Sequence, residues 1–286
     1  MTPSPVIAVY GLGIIGSRVL ARLRHCGFQA CGWNRSPRPG LEDVSPSVAA
    51  AAAGADVHQL FVRDGGAVLE VLHALAPRLG RGKTVLVHAT LSPGEMRAAA
   101  EVVAATGADF LDAPFTGSRE AAAAGRLVYY VGGDPAVLGL VRPVLEASSR
   151  AIEWVGGVGD ATVLKIATNL VTASIVQALA EALAVTRAGG VAPELLRVAV
   201  EHNACRSGTS DLKLPTMLAG DFSPHFSLRN MLKDAHHALA LARDADLTLP
   251  SLAQTTAVME RLAADPAQAG MDFSLLARQW DPAPSP

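Results

Sequence analysis

The chain has 286 residues, half of them hydrophobic but only 5% aromatic, and its 24 basic and 26 acidic side chains leave a formal charge of −2. That length suits two domains with cores built from Ala, Val and Leu, and the near-neutral charge gives no electrostatic case for a nucleic-acid partner or an acidic membrane. The three scattered cysteines, Cys26, Cys31 and Cys205, have no ligand spacing, so reduced thiols in a cytoplasmic protein without a metal site are expected.

Residues 1–5 carry no basic region, and the apolar run after them is broken by Gly11 and Gly13, unlike a signal peptide. Residues 6–10 read as a strand that feeds directly into Gly11-Leu12-Gly13-Ile14-Ile15-Gly16. After that turn Val19, Leu20 and Leu23 recur at helical spacing. A second strand, 29–33, ends at Asn34-Arg35-Ser36, and Pro37 and Pro39 end regularity beyond it. Helices are then expected over 48–53, 67–75, 94–106 and 135–148, and strands over 57–62, 84–88, 109–111 and 127–131. This alternation predicts an α/β Rossmann domain, doubly wound, with a mostly parallel sheet covered on both faces.

Near residue 156 the pattern changes. Gly156, Gly157 and Gly159 break the chain, Asp160 reads as an N-cap, and an uninterrupted helical run of about 28 residues, roughly 42 Å long, follows to Arg187. Lys165, Asn169, Gln177 and Glu181 interrupt its apolar character. Each is costly in lipid, so a buried helix of a soluble protein is expected rather than a membrane span. Further helices are expected over 193–202, 227–243, 251–263 and 273–279. Ser207–Ser210 reads as a loop over the active site or a linker, and the proline-rich tail 281–286 as disordered. The domains are therefore 1–158, a dinucleotide-binding Rossmann domain, and 159–286, an all-α domain entered through one long interdomain helix.

A G-x-G-x-x-G run placed directly between a strand and a helix is the context a dinucleotide site requires. Gly11 permits the tight turn, Gly13 the close approach of backbone to pyrophosphate, and Gly16 the packing of helix on strand. The helix N-terminus presents N–H groups to the anion. An NAD site places an acid at the end of the second strand, whereas here Asn34-Arg35-Ser36 stands there and no acid follows until Glu42. A guanidinium grips a 2′-phosphate that a carboxylate repels, which favours NADP; the alternative is a solvated turn arginine.

Lys83, Lys165, Lys213 and Lys233 are the only lysines, against twenty arginines. An ammonium can donate or lose a proton where a guanidinium cannot, so a lysine in this chain is a candidate acid/base. Lys165 lies early in the long helix among Val163, Leu164, Ile166 and Ala167, with Asn169 on the same face four residues on. The pair could polarise and protonate a carbonyl. The alternative is a lysine that snorkels to solvent, and spacing alone leaves both open.

These motifs, taken in order, resemble the β-hydroxyacid dehydrogenase family, whose members include 3-hydroxyisobutyrate dehydrogenase and the glyoxylate/succinic semialdehyde reductases. Gly11–Gly16 resembles its cofactor fingerprint and Asn34-Arg35-Ser36 the Asn-Arg-Thr of its NADP-using members. Ala89-Thr90-Leu91-Ser92-Pro93 resembles the nicotinamide loop, Asp112–Ser118 the substrate loop, Gly159–Asn169 the catalytic-lysine helix, and Lys233-Asp234 a late Lys-Asp pair. The resemblance implies an NADPH-dependent reductase of a small aldehyde or keto acid, equivalently an NADP-dependent dehydrogenase of a hydroxy acid. Lys165 would be its general acid/base and Asn169 would orient the substrate. Thr116, Gly117 and Ser118 would bind the substrate carboxylate. Phe61, Val62 and Arg63 at the end of the third strand, with Thr90 and Lys233, would complete the cofactor site. The resemblance also implies a homodimer through the helical domain.

Some positions depart from the family. Val87 and Ala89 stand where Asp and Ser are usual, Thr116 replaces Ser, and Ser118 replaces a Gly, as in the semialdehyde-reductase branch. Imine reductases resemble the same family but carry Asp or Tyr at the lysine position, so Lys165 argues against that alternative. A non-catalytic NADP-binding scaffold is the other alternative. Retention of Lys165 with Asn169 favours an enzyme, and the altered 87–89 loop keeps the scaffold reading open. His236-His237 point about 100° apart on a helix and cannot share a metal. Arg119 is either a lure for a substrate carboxylate or a solvated arginine.

Overall fold

The computed structural model describes residues 4–37, 40–41 and 44–280; the readings made on residues 1–3, Pro39, Glu42 and the tail 281–286 lie outside the described residues. Contacts divide the chain into two compact units, Met1–Lys165 and Ile166–Pro286. The sequence reading placed its boundary near 158, before the long helix; the contacts assign the first turns of that helix to the first unit.

The first unit opens with β1 (Ile7–Tyr10), α1 (Gly16–His25), β2 (Ala30–Trp33), α2 (Val48–Ala52), β3 (Val57–Leu60), α3 (Gly65–Leu75), β4 (Thr84–Val87), α4 (Pro93–Ala104) and β5 (Asp109–Asp112). These strands are parallel in the order β2-β1-β3-β4-β5, so direction reverses between β1 and β3, where open α/β sheets bind ligands outside their carboxyl ends. Every residue of β1, β3 and β4 is buried, as expected of strands covered on both faces. On one face Val19, Leu20 and Leu23 of α1 pack with Ile7, Val9 and Leu86. On the other, Val68, Val71, Leu72 and Leu75 of α3 pack with Ala8, Tyr10 and Leu60. Helix starts are locally specified: Asp64 Oδ1 accepts from Ala67 N, and Ser92 with Glu95 closes a capping box at α4, with Pro93 in its first turn.

The sheet continues through β6 (Phe115–Thr116), α5 (Arg119–Ala123), β7 (Leu127–Gly133), α6 (Pro135–Glu146) and β8 (Ser149–Gly156). β7 runs antiparallel to β5 and β6, and β8 lies parallel to β7. The sequence reading left 149–156 without a strand. β8 has no buried residue, so the apolar alternation that marks a half-buried strand is absent.

The second unit is helical. It comprises most of α7 (Asp160–Ala188), then α8 (Pro193–Glu201), α9 (Gly208–Ala219), α10 (Leu228–Asp244), α11 (Pro250–Ala263), α12 (Pro266–Ala269) and a 3₁₀ segment, Phe273–Trp280. Ala173, Val176, Ala180 and Leu183 of α7 form a core with Met231, Ala235, Leu252, Phe273 and Leu276. By length and composition alone α7 could cross a membrane, and only a third of its most apolar window is buried. Ser207–Ser210 is not a loop or linker: Ser207 caps α9 through a reciprocal capping box with Ser210. Gly208 and Pro215 masked that helix in the sequence. Two of the four lysines also prove structural. Lys83 Nζ lies 2.9 Å from Asp56 Oδ1, and Lys213 forms a buried pair with Asp272.

Candidate active site

Gly11 has φ +93°, and a Cβ on it would stand 2.5 Å from Phe61 O; a Cβ on Gly16 would collide with Gly11 O. Only glycine fits either place, so the turn between β1 and α1 is as tight as its sequence implies. Ile15, the N-cap of α1, offers no side-chain bond, and the first turn holds no acid. That helix end carries no side-chain cap, although Ser17 N and Arg18 N bond back to Gly13 O and Ile15 O. Leu12 is fully buried beneath the turn while Ile14 is exposed at it. Asn34 is used within the turn itself: Oδ1 accepts from Leu12 N (2.9 Å) and Nδ2 donates to Ser36 O (2.7 Å). One amide thus braces the glycine turn against the end of β2.

Beside it lies a cavity of about 440 Å³, lined by residues that include Trp33, Asn34, Arg35, Ser47, Val48 and Glu70. Arg35 Nη1 lies 3.3 Å from Glu70 Oε2, both side chains being more than half exposed, and Ser36 is exposed. The cavity lies past the second strand, where the adenosine ribose of a dinucleotide would sit, and its polar lining fits that group.

Phe61 meets this turn through its backbone, whereas its ring stacks on His88 (centroids 4.2 Å apart, planes 18°) and tilts against Phe115. Val62 is half-buried beside it, and Arg63 is exposed with Nε 2.9 Å from Asp64 Oδ2. Val87 and Ala89, the departures from the family pattern, pack in the core with Leu60, Leu91 and Met96; Thr90 is half-buried beyond them. His88 is fully buried, and burial lowers its pKa to about 4, so it is neutral at pH 7. Its Nδ1 donates to Ala113 O (2.6 Å), which makes it a brace for the backbone ahead of the 116–118 loop rather than an acid/base. Nε2 then accepts, and the Gln59 amide beside it, 3.0 Å away, satisfies it with its otherwise unpartnered nitrogen turned inward.

In the 116–118 loop Thr116 sits on β6, Gly117 has φ +141°, and Ser118 caps α5 by accepting from Ala121 N at 3.2 Å. The Ser118 hydroxyl oxygen is thereby oriented, and its O–H donates to the Glu120 carboxylate, which helps hold that acid at a pKa of about 2. Arg119 Nε pairs with Glu120 Oε1 at 2.8 Å on the surface, the arrangement of a solvated arginine.

Asp112, which opens the Asp112–Ser118 motif but was given no role there, holds the start of α7. Its Oδ2 accepts from Gly159 N and Thr162 N, and its Oδ1 from Thr162 Oγ1, each at 3.0 Å. Burial raises its pKa to about 6 against the pull of those bonds. Asp160 is the first helical residue rather than the N-cap; its Oδ2 accepts from Gly157 N at 2.7 Å. Lys165 follows at half-exposed depth, and Asn169, one turn further along α7, is buried. Asn169 Nδ2 donates to Asp234 Oδ2 (2.6 Å), which fixes the orientation of the amide. Lys233 Nζ lies 2.9 Å from Asp234 Oδ1. Asp234 sits between Met231, Ala235 and Ala238 on the buried face of α10. Besides the Lys233-Asp234 pair, an acid on an apolar helical face is a signal that marks it.

Known proteins match the chain over nearly its whole length. Residues 6–156 match the family described as the NAD binding domain of 6-phosphogluconate dehydrogenase, and residues 159–280 that of NADP-dependent 3-hydroxyisobutyrate dehydrogenase. The chain is 31% identical over 263 residues to 2-hydroxy-3-oxopropionate reductase of Escherichia coli strain K12, covering 89% of this chain and 90% of the relative. Among solved structures, Mycobacterium tuberculosis 3-hydroxyisobutyrate dehydrogenase with L-serine superposes with a TM-score of 0.86 at 26% identity, covering 96% of this chain and 99% of that one. Psf3 in complex with NADP+ and 2-OPP gives 0.86 at 25% identity, covering 95% and 99%.

Proposed function

The chain belongs to the β-hydroxyacid dehydrogenase family, and from that premise we propose that it is an NADPH-dependent reductase of a small aldehyde or keto acid, with Lys165 as its general acid/base. The coarser activity, an NAD(P)-dependent oxidoreductase acting on the CH–OH group of a hydroxy acid, follows from the family. The observation that carries the finer reading is that the glycine turn, the Arg35 cavity, the 116–118 loop and Lys165 are all built into one compact unit.

Gly11, Leu12, Gly13, Ile14, Ile15 and Gly16 would hold the pyrophosphate, and Arg35 with Ser36 the 2′-phosphate. Bound NADPH supplies the hydride. The remaining chemistry falls to the chain. Thr116, Gly117 and Ser118 hold the substrate carboxylate, and Lys165 gives its proton to the carbonyl oxygen as negative charge develops there. In the reverse direction the same amine removes the hydroxyl proton. Asn169, its amide fixed by Asp234, keeps the substrate oxygen in line with Lys165.

The carboxylate of Glu70 in the same cavity favours a second reading, in which NADH is also accepted. Arg35→Ser separates the two. Loss of the charge-assisted phosphate contacts is expected to raise the KM for NADPH by about 10–100-fold and to leave that for NADH nearly unchanged. Equal effects on both cofactors would remove the 2′-phosphate role. The partner proposed for the helical unit is a second copy. Val171 and Val185 of α7 and Leu195 of α8 are each more than half exposed, and light scattering at twice the chain mass checks it.

The function itself is tested by NADPH oxidation over a panel of glyoxylate, succinic semialdehyde, tartronate semialdehyde, methylmalonate semialdehyde and a cyclic imine. Turnover of an aldehyde acid supports the reading. Reduction of the imine alone, independent of Lys165, would move the assignment to imine reduction. Tight NADPH binding without turnover would make the chain a scaffold.

A further inference from the structure

Asp112 is completely buried and has no part in the chemistry described above. A helix is ordinarily capped by the residue at its own N-terminus. Here the cap comes from the end of β5, 47 residues before Gly159, and supplies one carboxylate to three donors at the first turn of α7. Thr162, Lys165 and Asn169 share one helical face at spacings of three and four, so whatever fixes the first turn fixes where Lys165 projects. The same strand end leads into the substrate loop. Ala113 N donates to Val87 O, Ala113 O accepts from His88, and Pro114 O accepts from Tyr130 N, just before Thr116. Asp112 therefore joins the anion loop and the lysine helix through one rigid segment.

Its charge also matters. A helix N-terminus carries about half a positive charge, which disfavours an ammonium less than two turns away. Among the described residues, the charged groups at this end include Asp112 from β5, Asp160 and Lys165 on α7, and Arg97 from α4, whose Nη1 would stand 3.1 Å from a Cβ on Gly159. Gly132 of β7 packs against Gly157 and Ala161 and brings no charge, and His88 is neutral. The two carboxylates offset the helix end and Arg97.

We propose that Asp112 is a positioning residue: it caps α7 from a strand end, fixes where Lys165 stands, and with Asp160 cancels the positive field there so that the lysine remains a charged proton donor. This rests on Lys165 being that donor. Reduction then fails as pH rises through the lysine's apparent pKa, and removing the carboxylate charge moves that alkaline limb down.

The test compares kcat against pH for wild type, Asp112→Asn and Thr162→Val, with NADPH and the aldehyde acid the enzyme turns over. Asp112→Asn keeps the bonding pattern, since its carbonyl accepts both N–H groups and its NH2 donates to Thr162 Oγ1, but it removes the charge. Its alkaline limb is expected about half to one pH unit lower. Thr162→Val loses one of the same bonds, keeps the charge, and leaves the limb in place. Should Asp112→Asn not fold, Asp160→Asn, exposed at the same helix end, replaces it with a smaller shift in the same direction. An unmoved limb in the charge-removing variant, or an equal shift in Thr162→Val, overturns the proposal. Activity retained by Lys165→Ala would instead overturn the functional reading beneath it.

Discussion

Lys165→Ala is expected to lower kcat for carbonyl reduction by about 10²–10⁴-fold, the usual range for loss of a positioned general acid. The dissociation constant of NADPH should stay within about twofold, because Lys165 lies on α7, away from both the glycine turn and the β2 cavity in the chain. Lys165→Arg should be nearly as damaging, since a guanidinium keeps the charge but does not release its proton near neutral pH. Rapid-mixing kinetics with fluorescence titration of NADPH separates chemistry from binding. A variant that keeps more than a tenth of wild-type kcat shows that the proton comes from elsewhere.

Asp272→Ala is expected to destabilise the helical unit by about 3–5 kcal/mol, as breaking a buried ion pair from one side does. Lys213 Nζ donates to both carboxylate oxygens, at 2.6 and 2.7 Å, and the two side chains are 4% and 3% exposed. Asp272 also accepts from the backbone N–H of His225, Phe226 and Ser274, each at 3.0 Å, so it organises the turn before α10 and the final 3₁₀ segment. Removing it leaves the ammonium buried over the Phe273 ring, 4.5 Å from its centroid. Burial pushes the Asp272 carboxyl up, but Lys213 and the backbone donors outweigh that and hold it below its ordinary value. The folded-state pKa of this carboxyl is thus depressed. Its contribution is present above the unfolded carboxylate pKa and is lost as pH falls through the lower folded one. Urea unfolding at pH 7 and in acid checks both parts. The helical unit should weaken toward acid in the wild type, and Lys213→Met with Asp272→Leu should flatten that dependence. A loss below 1 kcal/mol in Asp272→Ala would make the pair incidental.

What could be read in advance was what is local in the chain. The turn Gly11–Gly16 lies between a strand and a helix contiguous with it, and the requirement for glycine is a backbone property, so sequence and structure carry the same information there. The long helix announced itself by the absence of breakers. What could not be read depends on distant partners. Asp112 acts on Gly159 and Thr162, and Asp234 on Asn169, 65 residues away, so although both acids fall within local motifs, their contacts have no local signature. The scarcity of lysine pointed to Lys165 but equally to Lys83 and Lys213, which proved to be partners of Asp56 and Asp272. α9 was hidden because Gly208 and Pro215 read as breakers, although Ser207 and Ser210 form a capping box. β8 was hidden because it buries none of its side chains.

In the proposed mechanism a single amine, Lys165, gives the proton in reduction and takes it in oxidation. The most direct measurement is a pair of pH profiles of kcat/KM, one in each direction, for the wild-type enzyme with its aldehyde acid and the corresponding hydroxy acid. One group should govern both, with reduction falling above its apparent pKa and oxidation falling below it, and both limbs should vanish in Lys165→Ala. Limbs that differ between the two directions, or that persist in the variant, would contradict it.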